Sequence, residues 1–482
     1  MSVHWGPLAI ACAVVGLLPA CGGAAGPAAP LGTGPAAPLG TAQLAETAGR
    51  FQRPAIMAPL MVEDWGAFES QLQRAKAIGV VAASTDVWWG AVEGAGDQQF
   101  DWTYYDRVSA AILAAGLKWV PIFSFHKCGG NVGDTCNIPL PGWVWSTVGG
   151  QDPNALKYES ERANLSDEVI SLWADAASAP QYREFVTAFA THFAGIADGL
   201  EELNVSAGPS GELRYPSYNA HDHFSYPQRG FLQAYSDAAV DDLRASIKTK
   251  YTTLAAVNEA WGIQLQTWEE VRPPSDADGF FARRDYLDIR YGKDFTAWYN
   301  GALVEHGRRM LTLVSDALAG HFPGVPVGIK VPGVHWQMSS PSIPRSAEIS
   351  AGLIHSDQEL DDDATAHGYA PILDMLSGVD LGRPVVVHFT CLEMDNAPGP
   401  DAYSRAKDLV FWVGAGAGAR HVPIMGENAL SGGVTNNDGW NNIDNAIRWS
   451  TYSGLTVLRV SDLESNGGLG FTRYESLIDT FM

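Results

Sequence analysis

The chain has 482 residues, of which 46% are hydrophobic and 10% aromatic, so it can bury a large core. Its 31 basic residues against 54 acidic residues give a net charge of −23, which argues against a nucleic-acid partner. This acidic balance and the 16 tryptophans fit a protein that binds a neutral ligand such as a sugar.

The first 21 residues predict a signal peptide. The apolar run PLAIACAVVGLLPA is too short to span a bilayer, and small residues lead into Cys21 at its end. This pattern indicates a bacterial lipoprotein signal with a lipid anchor on Cys21; plain secretion is the alternative. Residues 22–50 carry GPAAPLGT twice in tandem and predict a Pro/Ala/Gly-rich linker. We expect a protein that is secreted or lipid-anchored at the cell envelope, with one folded domain over residues 51–482.

Eight short apolar runs alternate with helix-like segments from residue 51 onward. Two of those segments, AFESQLQRAKAIG and YYDRVSAAILAAG, end in a glycine suited to close a helix. Alternating strands and helices predict a parallel sheet, and eight strands predict an α/β fold of the (β/α)₈ TIM-barrel type, a single catalytic domain with long βα loops. A doubly wound open sheet is the alternative, although no GxGxxG follows the first strand. The runs are 55–62, 79–89, 118–126, 200–208, 325–333, 384–393, 421–430 and 454–463.

Polar residues cluster where these runs end. In a barrel, the carboxyl ends of all strands meet at one mouth, where active sites are built. Each residue alone could cap a helix, satisfy a core contact or lie on a solvated rim, but jointly they predict a site. They are Asp86, His126, Glu212, Lys330, Thr390, Glu393, Glu427, Asn428 and Arg459.

Two glutamates, Glu212 and Glu427, each follow a glycine at a predicted turn. A pair of carboxyl groups is what glycoside hydrolysis requires, because one must donate a proton and the other must activate water or attack. Asp86 and Asp134 also remain candidates for the second role at this stage.

Cys128 and Cys136 lie eight positions apart in HKCGGNVGDTCNIP. Outside the cytoplasm, a disulfide closing this glycine-rich loop is the favoured interpretation. A zinc site with His126 is the weaker alternative, because the usual ligand spacing is missing.

Six segments, in chain order, resemble the β-amylases: DVWWGAVE, FHKCGGNVGDTCNIPLPGWV, GPSGELRYPSY, IKVPGVHW, FTCLEM and GENAL. The resemblance covers nearly all of residues 51–482. It implies a (β/α)₈ barrel that removes β-maltose, with inversion, from the non-reducing ends of starch, amylose and maltodextrins. Some bacterial members append a starch-binding domain, and none is expected after the eighth strand and its helix here.

The resemblance also implies residue roles. Glu212 matches the general acid and Glu427 the general base, while Asp134 lies in a loop that closes over substrate and Thr390 in an inner loop. The positions that match substrate-binding residues are Asp86, His126, Lys330, His335, Trp336, Asn428, Ala429, Leu430 and Arg459.

No cofactor is expected for catalysis, although Glu93 and Asp97 in VEGAGD resemble a structural calcium site of bacterial members. A monomer is expected. Two alternatives remain: another barrel glycosidase, such as an endo-acting glucanase, and a non-catalytic glycan-binding lipoprotein.

Overall fold

The computed structural model describes residues 51–129, 134–318, 320–356 and 365–482. The predicted signal peptide and linker, residues 1–50, lie outside these ranges. Within the described ranges, no helix is both long and apolar enough to cross a membrane.

Eight parallel strands form a closed barrel, which confirms the predicted fold and rules out the open doubly wound sheet. Neighbours around the barrel follow the order β1, β12, β11, β8, β7, β6, β3 and β2, and β1 pairs with both β2 and β12. All eight predicted apolar runs supply one strand each, because parallel strands buried on both faces need near-continuous apolar sequence. The barrel strands are β1 (Arg53–Met57), β2 (Ala82–Trp88), β3 (Lys118–Ser124), β6 (Leu203–Val205), β7 (Val327–Val331), β8 (Val385–Phe389), β11 (Ile424–Glu427) and β12 (Tyr452–Val457).

Helices surround the barrel and fill the connections. Gly79 and Gly116, the predicted closing glycines, lie just past the ends of α1 and α3 with φ of +95° and +75°, the left-handed conformation that glycine tolerates best. The helices are α1 (Trp65–Ala77), α2 (Trp89–Val92), α3 (Thr103–Ala114), α4 (Asp175–His192), α5 (Asp237–Tyr251), α6 (Leu254–Trp261), α7 (Ala277–Ala282), α8 (Asp285–Asp288), α9 (Arg290–Ala317), α10 (Ser346–Ser350), α11 (Ala370–Gly378), α12 (Ala406–Ala419), α13 (Ser431–Val434), α14 (Asn437–Trp449) and α15 (Ser465–Phe481).

Long connections at the carboxyl ends of the strands build the walls above the barrel mouth. Two short antiparallel ribbons lie within them, β4 (Tyr158–Glu159) with β5 (Leu165–Ser166), and β9 (Asn396–Ala397) with β10 (Ser404–Arg405). A short 3₁₀ turn, Pro209–Gly211, follows β6. The long βα loops expected from the sequence are therefore present, and they place side chains around one opening.

Candidate active site

Glu212 lies directly after the 3₁₀ turn that follows β6. Gly211, with φ of +78°, turns the backbone there. The chain then pairs with the end of β7, because Glu212 bridges to Lys330 and the backbone N–H of Leu213 donates to the carbonyl of Lys330 at 2.8 Å. Backbone contacts to the barrel therefore fix the position of Glu212, as its predicted place at a glycine bend required.

The carboxyl group of Glu212, whose side chain is 15% exposed, lies beside one arginine. Arg214 donates from Nε to Oε2 of Glu212 at 2.8 Å and from Nη1 to the side chain of Asn219 at 2.6 Å. Burial raises the pKa of Glu212; the charge of Arg214 opposes this rise, and the negative charge of Glu427 adds to it. The net direction is upward, so Glu212 keeps its proton to higher pH than an ordinary glutamate does.

Glu427 is the last residue of β11 and belongs to the strand. The predicted glycine turn at this position is wrong: a Cβ on Gly426 would lie 2.0 Å from Cδ2 of Leu392, so the glycine makes room for packing. Lys330 Nζ lies 2.9 Å from each carboxylate oxygen of Glu427, and His388 Nδ1 lies 3.3 Å from Oε1. Burial alone would raise the pKa of Glu427, but Lys330 and His388 outweigh it and lower the pKa to about 2.

The pKa values of the two carboxyl groups therefore shift in opposite directions in one mouth. Lys330 joins them, because its backbone pairs with the Glu212 segment while its ammonium group binds Glu427. A protonated acid beside an ionised carboxylate is the arrangement that acid–base cleavage of a glycosidic bond needs.

Asp86 and Arg459 meet on one side of the mouth. Asp86 Oδ2 lies 3.7 Å from Arg459 Nη1, and Ser124 donates to Asp86 Oδ1 at 3.0 Å. His126 Nδ1 lies 2.9 Å from the hydroxyl of Ser206, and burial lowers the pKa of His126 to about 4, which keeps it neutral near pH 7. These side chains offer neutral and charged hydrogen-bonding groups to a polar ligand.

Three predicted residues line the connections after β7 and β8. The hydroxyl of Thr390 accepts from the backbone N–H of Gly333 at 2.9 Å. His335 Nδ1 lies 2.8 Å from the hydroxyl of Ser404, and burial lowers the pKa of His335 to about 4. Trp336 donates from its indole to the carbonyl of Gln228 at 2.7 Å. Trp336 is thus locked to the β6–β7 connection, with only 7% of its surface exposed.

The segment after Glu427 is held by a second acid. Glu393 accepts hydrogen bonds from the backbone N–H groups of Ala429 and Leu430, at 3.0 and 2.8 Å. Asn428 accepts from the N–H of Leu458 at 2.8 Å. Leu430 nevertheless remains 48% exposed, an unusual state for a leucine, and it presents an apolar surface at the mouth.

The predicted disulfide between Cys128 and Cys136 is present, with Cα atoms 5.7 Å apart. It excludes the zinc alternative for these two cysteines. Asp134 Oδ2 accepts from the N–H of Gly129 at 2.9 Å. Residues 130–133, the centre of the glycine-rich loop, lie outside the described residues.

The residues of the predicted calcium site fit a cation only in part. Both carboxylate oxygens of Glu93 accept hydrogen bonds, from Trp89 Nε1 and from the N–H of Gln98, each at 2.7 Å. Burial raises the pKa of Glu93, and the charges of Asp97 and Glu184 add to this rise. In the part of the chain that the structure describes, no three His, Cys, Asp or Glu residues form a group that could hold a metal ion.

Sequence reasoning missed three residues that act on the carboxyl pair. Arg214 binds Glu212, His388 faces Glu427, and Glu202 binds His388 at 2.5 Å. The available signal was a charged or titratable residue inside an apolar run, as in PVVVHFTCLE and LEELNVSAG. Such residues are buried, and a buried charge requires a partner.

Comparisons with known proteins point in one direction. The family model for glycosyl hydrolase family 14 matches residues 55–478. The β-amylase of Cytobacillus firmus is 41% identical over 418 residues, which cover 86% of this chain and 83% of that relative. The thermophilic β-amylase of Thermoanaerobacterium thermosulfurigenes is 40% identical over 416 residues, covering 86% and 71%. Among solved structures, the catalytic domain of β-amylase from Paenibacillus polymyxa is similar with a TM-score of 0.79 at 38% identity, covering 89% of this chain and 98% of that one.

Proposed function

The chain belongs to glycosyl hydrolase family 14, the family of the β-amylases, and on that premise we propose that Glu212 is the general acid and Glu427 the general base of maltose release from starch and maltodextrins. The observation that carries this assignment is the placement of two carboxyl groups around Lys330, whose backbone pairs with Glu212 and whose ammonium contacts both carboxylate oxygens of Glu427 at 2.9 Å. The pKa directions agree with it, upward for Glu212 and down to about 2 for Glu427.

In the proposed reaction, the protonated carboxyl of Glu212 gives its proton to the glycosidic oxygen as the bond to the anomeric carbon breaks. The carboxylate of Glu427 removes a proton from a water molecule, whose oxygen bonds to that carbon from the opposite face. The electron pair of the broken bond stays on the departing glucan. Lys330 keeps Glu427 ionised between turnovers through its contacts at 2.9 Å.

The mouth supplies groups for binding as well as for proton transfer. Asp86, Arg459 and His126 line one side and offer hydrogen-bonding partners to sugar hydroxyls. Leu430, exposed beside the base, offers an apolar contact next to the bond that breaks. We infer that Asp86, Arg459 and His126 hold the two terminal glucosyl units of the substrate, so that a disaccharide is released.

Stereochemistry tests the assignment of Glu427. Because a general base must leave room for water, inverting enzymes hold their carboxyl groups about 6.5–9.5 Å apart, against about 5–5.5 Å for a covalent mechanism. Proton NMR of sugar freshly released from starch should show β-maltose first and almost no glucose. If α-maltose appears first, Glu427 is not a general base.

The two alternatives from the sequence have less support. Another barrel glycosidase, such as an endo-acting glucanase, would cut a different polymer such as cellulose or xylan. A non-catalytic binding protein would tolerate loss of one carboxyl group. Both carboxyls are present here with pKa shifts in opposite directions, and the relatives that cover most of the chain are named as β-amylases. Reducing-sugar release from soluble starch, compared with cellulose and xylan, distinguishes these cases.

Three expectations from the sequence remain predictions. The lipid anchor on Cys21 and the envelope location rest on the signal-like segment alone. The calcium site rests on the VEGAGD pattern and on the charges around Glu93. The third is that the protein is a monomer. Mass spectrometry of protein from membrane and culture fractions tests the anchor.

A further inference from the structure

A row of alternating charges lies inside the barrel below Glu427. His388 Nδ1 lies 3.3 Å from Oε1 of Glu427, and His388 Nε2 lies 2.5 Å from Oε1 of Glu202. Glu202 Oε2 in turn lies 2.6 Å from Arg53 Nη2. We call Glu427, His388, Glu202 and Arg53 the ionic column. It runs from the active-site mouth toward the amino-terminal end of the barrel.

The geometry around His388 favours its doubly protonated form. Nε2 forms a hydrogen bond with Glu202, whereas Nδ1 makes only an ion-pair contact with Glu427 at 3.3 Å. An ionised carboxylate can accept but not donate a hydrogen bond. A neutral imidazole carries only one N–H. The lone pair of its other nitrogen would then lie next to a carboxylate oxygen, with no proton between them. His388 and Glu202 are only 3% and 1% exposed, so bulk water does not relieve such a mismatch.

The barrel interior is built to hold this column. A Cβ on Gly328 in β7 would lie 2.1 Å from Oε1 of Glu202, so the glycine leaves the space that the carboxylate occupies. The lower end is tied to the rim, where Arg53 Nε also lies 3.3 Å from Oε1 of Glu201. Ionic contacts in an interior cost desolvation energy, which only close geometry and further hydrogen bonds can offset.

We propose that His388, kept protonated by the Glu202 carboxylate that Arg53 binds, is a positioning residue that holds the carboxylate of Glu427 in its charged and oriented form from below. This proposal rests on the proposed function of Glu427 as the base. Two cations then bind the base from different strands, Lys330 from β7 and His388 from β8, and these two residues are register partners. The attacking water meets a carboxylate whose orientation is fixed before substrate arrives.

The two carboxylates that contact His388 favour its protonated form. Burial lowers the pKa of His388, but Glu202 and Glu427 outweigh it and raise the pKa to about 8. Burial raises the pKa of Glu202, but His388 and Arg53 outweigh it and lower the pKa. The ammonium of Lys330, which binds Glu427, and the guanidinium of Arg53, which binds Glu202, are like charges that oppose protonation of His388. Near pH 7 the column therefore holds alternating charges along its length.

A direct titration tests the charge on His388. Protein labelled with ¹⁵N in histidine should show one imidazole that stays doubly protonated up to about pH 8, assigned by its loss in His388→Gln. Glu202→Gln removes the stronger partner, so the same resonance should titrate below the ordinary histidine value. A neutral imidazole at pH 6 in the unaltered protein would overturn the proposal.

Kinetics test the effect on the base. In His388→Gln, Glu427 loses one of two nearby cations, so its pKa should rise. The acid limb of the pH profile of kcat/KM should therefore move to higher pH by about one unit or more. In Glu202→Gln, kcat relative to the unaltered enzyme should fall at pH 8 and recover toward pH 5, where the imidazole regains its proton. KM should change little in both. A purely structural role would lower activity equally at every pH, and that result would overturn the proposal.

A matched control is available on the outer helices. His306 lies 2.9 Å from Asp175 in another buried histidine–carboxylate pair, and His306→Gln should leave the pH profile unchanged. Should His388→Gln fail to fold, the titrations of the unaltered protein and Glu202→Gln still decide the charge on His388. Failure of the base assignment is seen separately, as activity retained by Glu427→Gln, and does not alter the histidine titration.

Discussion

Lys330 Nζ lies 2.9 Å from both carboxylate oxygens of Glu427, and both side chains are buried within the barrel mouth. The ammonium group therefore contacts the whole carboxylate and not one edge of it. Charge-assisted contacts of this kind lower the pKa of an acid and restrict its rotation. The relationship makes Lys330 part of the proton-transfer apparatus in addition to its predicted role in substrate binding.

We expect Lys330→Met to lower kcat by about 10²-fold or more, because the base loses its main counter-ion. Glu427 must be ionised to accept a proton, so activity falls as pH drops through its pKa. Removing Lys330 raises that pKa from about 2, and the acid limb of the rate profile should move to higher pH. Lys250→Met, at an ion pair whose lysine is 42% exposed, is the control and should leave the profile unchanged. An unmoved acid limb in Lys330→Met would contradict the account.

Glu212→Gln and Glu427→Gln should each lose activity by about 10²–10⁴-fold or more, because each removes one proton-transfer role while keeping the shape of the side chain. Maltose binding, measured by calorimetry, should largely survive in both. Glu305→Gln, at an exposed ion pair, serves as the control. Substantial activity in Glu427→Gln would move the role of base to Asp86 or Asp134.

Asp134→Asn should lower kcat strongly if the glycine-rich loop must close for each turnover. The disulfide between Cys128 and Cys136 joins the two ends of that loop, and Asp134 lies between these cysteines in the sequence. Steady-state kinetics on maltodextrin would measure the effect, with Asp167→Asn, 56% exposed, as the control. A kcat within about twofold of the unaltered enzyme would remove Asp134 from the catalytic cycle.

Removal of calcium should lower thermal stability and leave initial rates nearly unchanged. A cation bound only to the folded state stabilises it by about 2.7 kcal/mol at a hundred times its Kd, and Glu93 bonds to α2 and to the loop after it, not to the carboxyl pair. Melting curves with and without a chelator provide the measurement. Glu93→Gln combined with Asp97→Asn should abolish the difference. A chelator without effect on the melting temperature of the unaltered protein would exclude the site.

The sequence was sufficient for features that lie along one stretch of chain. The barrel strands follow apolar runs because both of their faces are buried, and Glu212 was recognisable as a charge at a glycine bend after such a run. The ionic column was not recognisable, because His388 and Glu202 are 186 positions apart and meet only through the register of closed-barrel strands. The turn predicted at Gly426 was wrong for the same reason. This glycine makes room for Leu392, which belongs to the connection after another strand.

Finally, the pKa of Glu212 should depend on the charge of Glu427. The acid must be protonated to act, so activity is lost as pH rises through its pKa, which burial holds above the ordinary value. The negative charge of Glu427 contributes to that rise. Replacing Glu427 by glutamine removes the like charge, so Glu212 should ionise at lower pH in Glu427→Gln than in the unaltered protein. Carbon NMR of ¹³C-labelled glutamate, assigned with Glu212→Gln, measures both titrations, and Glu305→Gln should leave the value unchanged. If Glu212 titrates below its ordinary value in the unaltered protein, it would be ionised near pH 7, and another group would have to protonate the departing glucan.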